Sequence, residues 1–139
     1  MNTHAANTSY ELSEIYPVSR ERLYRALTDK AMLKKIWGVQ QITVDARVGG
    51  RTDAVYVADG QDWSFTITYT EVLPNETLRW VTHFKNFPTK ETRVLLRFTD
   101  EIKGTKLTVR MENFESSEER DANRQAWQRA LATLARALQ

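Results

Sequence analysis

Two features of this chain have the residue types to do chemistry: a lone carboxylate in an apolar strand, and a set of aromatic rings at alternating positions. The carboxylate is Glu14. In "YELSEIY" (residues 10–16), strand alternation puts Tyr10, Leu12, Glu14 and Tyr16 on one face. A carboxylate among such neighbours is desolvated, its pKa rises, and it suits general acid or base work. The competing reading is a one-residue slip of an edge strand, which turns Ile15 inward and returns Glu14 to water. His83 is a second titratable candidate, but alternation sets it beside Arg79 and Lys85 on the polar face.

The rings are Tyr56, Trp63, Phe65, Tyr69, Trp80 and Phe84. Two turns bring them to one face. A two-residue turn at Asp59-Gly60 sets Tyr56 opposite Trp63 and Ala54 opposite Phe65. A turn at Pro74-Asn75 sets Tyr69 opposite Trp80, Ile67 opposite Thr82 and Phe65 opposite Phe84. Trp127 and Leu131 from a C-terminal helix and Trp37 from an early one complete the set. Such a lining suits a planar or apolar ligand, with tyrosine hydroxyls to orient it. The same rings could equally pack on the helix as a filled core, with Trp37 an ordinary core side chain.

Other chemistries are excluded. The chain has no cysteine and only two histidines, His4 and His83, which rules out thiolate chemistry and argues against a metal site. No Ser/His/Asp set or phosphate loop is present, and "VGG" lacks the remainder of a dinucleotide fingerprint, so no cofactor is expected. Twenty basic residues against eighteen acidic leave a charge of +2, and no basic run exceeds Lys34-Lys35; nucleic acid is not an expected partner. No apolar run approaches the roughly 20 residues of a membrane span. The N-terminus "MNTHAANTSY" has no signal-peptide pattern, so a cytoplasmic location is expected, with residues 1–9 a flexible tail.

The 139 residues fit one domain, expected over 10–139. Tyr10–Tyr16 reads as a strand stopped by Pro17. Ser19 and Asp29 are N-caps for two short helices, the second ended by Gly38. From Gln41 the hydrophobic period drops from helical to strand spacing, giving runs at Ile42–Val48, Arg51–Ala58, Gln61–Leu73, Thr77–Phe87, Glu91–Thr99 and Thr105–Phe114. Turns are expected at Gly49-Gly50, Asp59-Gly60, Pro74-Asn75, Pro88-Thr89 and Lys103-Gly104. In "RVGGRT" a three-residue loop with a left-handed glycine keeps the faces consistent and pairs Val44 with Ala54. Val94, Leu96 and Phe98 then lie beside Leu107, Val109 and Met111. A capping box at Ser116 and Glu119 opens a long helix whose stripe is Trp127, Leu131, Leu134 and Leu138. One polar sheet face and one apolar face under a helix make an α+β domain.

The ordered pieces "YPVSRERLYRALTDKAMLKKIW", "ARVGGRT", "EVLPNETLRW", "KGTKLTV" and "AWQRALATLARAL" resemble the START-like (SRPBCC) superfamily. Within it the chain looks like the family named after the activator of the heat-shock-protein-90 ATPase. The resemblance implies a helix-grip fold: a curved antiparallel sheet of about seven strands around a long C-terminal helix, with two short helices after the first strand. It also implies a cavity between sheet and helix, closed at one end by the short helices, with Trp37 at its mouth. Glu14 and Ile67 depart from the family pattern, standing where an apolar residue and a glycine are usual; Ile67 would narrow the cavity.

Three functions follow as expectations. The first is binding of an apolar or aromatic small molecule in that cavity. The second is a protein-interaction module acting on a chaperone ATPase. The third is a weak acid/base enzyme of cyclase type. Pairing of two copies through a sheet edge is compatible with each.

Overall fold

The computed structural model describes residues 8–139, apart from the side chains of residues 87–90. The chain runs β1 (Ser9–Tyr16), α1 (Arg20–Ala26), α2 (Lys30–Trp37), β2 (Gln41–Val44), β3 (Arg51–Val55), β4 (Val57–Ala58), β5 (Gln61–Asp62), β6 (Phe65–Leu73), β7 (Thr77–Phe84), β8 (Phe87–Glu101), β9 (Gly104–Glu112) and α3 (Ser117–Ala137). Seven strands form one antiparallel sheet in the order β1-β9-β8-β7-β6-β3-β2. β1 begins at Ser9; the remainder of the expected tail, residues 1–7, lies outside the described residues. Among the described residues no helix is long and apolar enough to cross a membrane.

The helix boundaries follow from their caps. Ser19 Oγ accepts the Arg22 amide at 3.2 Å and Asp29 Oδ2 accepts that of Met32 at 2.8 Å, satisfying amides the first helical turn leaves open. Gly38 ends α2 in the left-handed conformation at φ 66°. Ser116 Oγ accepts the Glu119 amide at 3.1 Å at the start of α3. The stripes these helices bury, Leu23 and Ala26, Leu33 and Ile36, and Trp127, Leu131 and Leu134, meet the inner face of the sheet. Across that face, rows such as Leu78–Leu96–Val109 alternate with outward residues as the pleat requires. Two tyrosines of β1 tie it to α3: Tyr10 Oη donates to Asn123 Oδ1 at 2.5 Å, and Tyr16 Oη to the Leu131 carbonyl at 3.0 Å.

The outer face carries ion pairs, among them Arg79–Glu71 at 2.7 Å and Lys85–Asp62 at 2.8 Å. Hydrogen bonds from Lys85 and Ser64 hold the Asp62 carboxyl down at about 2. His83 lies on this face, 3.7 Å from Glu91.

Several local expectations are corrected. Val44 pairs with Thr52, and Ile42 with Ala54, because the connection after β2 spans residues 45–50. The two positions of slip preserve parity, so the inner face is unchanged. The β7–β8 turn is Lys85-Asn86 and closes on a Phe84–Phe87 pair; Pro88-Thr89 belongs to β8. The ladder resumes only at Thr82–Thr92, so Pro88 falls in an irregular stretch where no ladder amide is required. The long hairpin around Asp59-Gly60 breaks into a two-stranded extension, β4–β5. At the break Ser64 Oγ, not a backbone carbonyl, takes the Tyr56 amide at 3.1 Å, while the Trp63 amide still reaches the Tyr56 carbonyl at 2.7 Å.

Candidate functional site

Between the sheet and α3 lies a cleft of about 660 Å³. Its origin is legible along the helix. In the C-terminal half of α3, Leu131, Leu134 and the following Leu138 fill the space against the sheet. One and two turns earlier, the residues bordering the space include Ala122 and Ala126, whose side chains are too short to fill it. The strand on the far wall contributes Ile67.

Seven expected aromatic residues line this space. Trp80 and Trp127 are deepest, only 3% and 8% exposed, with ring centroids 6.5 Å apart and planes at 29°. Trp37, half-buried at the end of α2, meets Trp80, Trp127 and Phe65 edge-on at 6.4, 6.3 and 5.7 Å. Phe65 and Phe84 are a cross-strand pair with centroids 5.6 Å apart. Tyr56 and Trp63, each 36% exposed, stand at the rim beside the β4–β5 extension.

Tyr69 and Leu131 do not reach the cleft. Tyr69 is buried against Trp80, and its hydroxyl shares a 2.7 Å hydrogen bond with Thr52 Oγ1. Burial pushes the Tyr69 hydroxyl above the usual tyrosine range. Leu131 lies one turn too far along α3, where its carbonyl receives Tyr16. Glu14 keeps the expected register, paired with Leu107, but β1 is an edge strand, and the side chain is exposed and outside the cleft. The acidic residues that border the cleft are Asp59 and Glu119, both exposed at its rim. Among the described residues no group of three His, Cys, Asp or Glu side chains is placed to hold a metal.

Sequence reasoning missed several lining residues, notably Thr82, Thr92, Met111 and Phe114. Thr82 was within reach, since its pairing with Ile67 fixes its face; a threonine among rings is easily passed over as a strand former. Thr92 follows from the Thr82–Thr92 pairing, which the expected turn at Pro88-Thr89 obscured.

A curved antiparallel sheet gripping a C-terminal helix, with two short helices at one end and a ring-lined cleft between, defines a protein of the helix-grip class. The chain belongs to the family described as Activator of Hsp90 ATPase homolog 1-like protein, whose model matches residues 17–139. Solved structures share the fold. A Chromobacterium violaceum protein is 23% identical over 94% of this chain and 96% of its own, with a TM-score of 0.81. A Mycobacterium smegmatis protein is 18% identical over 97% and 93%, also at 0.81. A Rhodobacter sphaeroides protein is 21% identical over 96% and 93%, again at 0.81. No curated protein matches this chain.

Proposed function

We propose that this protein binds an apolar, ring-containing small molecule in the cleft between sheet and α3. The observation that carries the reading is the cleft itself: about 660 Å³ walled by Trp37, Trp80 and Trp127, within the ~300–1,000 Å³ of small-molecule sites. Rings that merely completed a core would interlock without such space, as interiors pack close to crystal density. The short alanines of α3 support the same reading, because they leave the space beside the rings unfilled.

Native mass spectrometry of protein purified without extraction, against its denatured mass, tests this. An added mass that leaves on denaturation is expected. A protein that neither carries an added mass nor takes up a planar aromatic probe would remove the proposal.

The family description favours one second reading, action on an Hsp90-type ATPase. It predicts that this protein raises the ATP turnover of a purified chaperone of that type. An unchanged rate under demonstrated contact would end it. The acid/base reading loses its sharpest residue: with Glu14 outside the cleft, Glu14→Gln is expected to leave ligand uptake unaltered.

A further inference from the structure

Three threonines occupy one row of the inner face: Thr52 on β3, paired to Ile67, then Thr82 on β7 and Thr92 on β8. All three residues are buried. Thr52 is fully buried and its hydroxyl is satisfied by Tyr69. Thr82 and Thr92, 7% and 4% exposed, have no side-chain hydrogen-bond partner among the described residues. Every completely enclosed side-chain nitrogen or oxygen that the structure describes does have a partner. The two free hydroxyls therefore keep a small accessible surface, and both residues line the cleft. The indoles of Trp80 and Trp127 repeat the pattern: nearly buried, lining the cleft, and without an acceptor for Nε1–H among the described residues.

An indole nitrogen only donates, and a hydroxyl can. A buried donor with no acceptor is costly, so a site of this kind selects a ligand that supplies one. The acceptor should be neutral. Among the described residues Arg129 is the one basic side chain lining the cleft, and it is exposed at the rim, so an anion at the depth of the threonines would meet no described countercharge there.

Resting on the small-molecule reading above, we infer that the ligand is a neutral planar aromatic compound bearing a carbonyl-type oxygen, which the Thr82 and Thr92 hydroxyls hold against the tryptophan wall of the cleft. The hydroxyls fix its orientation while the rings supply the contact area.

Fluorenone and fluorene, identical in outline but for the carbonyl, separate this inference from the one beneath it. Binding is measured by equilibrium dialysis. A merely apolar cleft favours fluorene, the more hydrophobic of the two. The expected result is that the unmodified protein prefers fluorenone. In the double variant Thr82→Val/Thr92→Val, fluorenone affinity falls about tenfold, the scale of one or two neutral hydrogen bonds, and fluorene affinity is unchanged. Thr82→Ser, which keeps the hydroxyl, retains the preference. Fluorene binding as well as or better than fluorenone to the unmodified protein, or fluorenone binding that survives loss of both hydroxyls, would overturn the acceptor inference and leave the cleft as an apolar site. Failure of both probes to bind would overturn the inference, and together with the absence of an added mass in native mass spectrometry it would also remove the reading it rests on.

Discussion

Threonine at three positions of one row shows how much the surroundings decide what a residue does. Thr52 and Tyr69 satisfy each other, so Thr52→Val strands a buried tyrosine hydroxyl and is expected to cost about 2 kcal/mol in urea unfolding. Thr82→Val removes a hydroxyl with no described partner and adds apolar surface, so its unfolding midpoint should be unchanged or higher. Equal losses in the two variants would mean that Thr82 is satisfied within the protein. Asp62 offers a second residue-scale test. Its carboxyl is held down by Lys85 and Ser64, at about 2 against an ordinary 3.8. The folded-state pKa is the lower one, so the stabilisation is present above 3.8 and is lost as pH falls toward 2. A carbon-detected NMR titration should find that low midpoint, and Lys85→Met should raise it toward the ordinary value.

Turns and irregularities do the equivalent work for whole elements. The connection from β6 to β7 is a three-residue loop, Pro74–Glu76, pairing Leu73 with Thr77; alone it would slip the register by one. A bulge at Thr70 absorbs that residue, so Tyr69 faces Trp80 and the rings stay inward. A two-residue turn gives the same pairing at the rings without either feature, which is why the site's register was legible although the loop was not. Glycines at two ends of elements differ in kind. At Gly38 an added Cβ meets nothing within 4 Å, so Gly38→Ala is expected to cost only the left-handed conformation, about 1 kcal/mol. At Gly104, φ is 142° and a Cβ would lie 2.0 Å from the Tyr16 carbonyl oxygen at the end of β1. Gly104→Ala must push β1 from the β8–β9 turn, and its thermal midpoint should fall well below that of Gly38→Ala.

For the molecule as a whole, the join between β1 and α3 depends on two neutral tyrosines. Burial pushes both Tyr10 and Tyr16 hydroxyls above the ordinary value of 10.0, with Glu14 adding to the effect at Tyr16. With the folded-state pKa raised, the stabilisation is complete below pH 10 and is lost as pH rises beyond it, because the unfolded chain releases these protons first. Urea unfolding from pH 8 to 11 should show stability falling past pH 10. The double variant Tyr10→Phe/Tyr16→Phe should be less stable at pH 8 and show a shallower decline. A decline as steep as that of the unmodified protein would place the alkaline sensitivity elsewhere.

What the sequence determined was whatever depends on local spacing: caps at Ser19, Asp29 and Ser116, the change of period after Gln41, and the parity that puts Phe65, Trp80 and Phe84 on one face. Parity survives errors of two, so even the misplaced partner of Val44 left the face intact. Tertiary structure decided what depends on distance through space. Whether Trp127 borders a cleft and Leu131 a filled core depends on how α3 lies across the sheet, and the two residues share one helical stripe. Glu14 shares its face with Tyr16, yet it is exposed while Tyr16 is buried against α3. Thr52 and Thr82 look alike along the chain, yet the Tyr69 hydroxyl lies beside Thr52 while Thr82 lines the cleft.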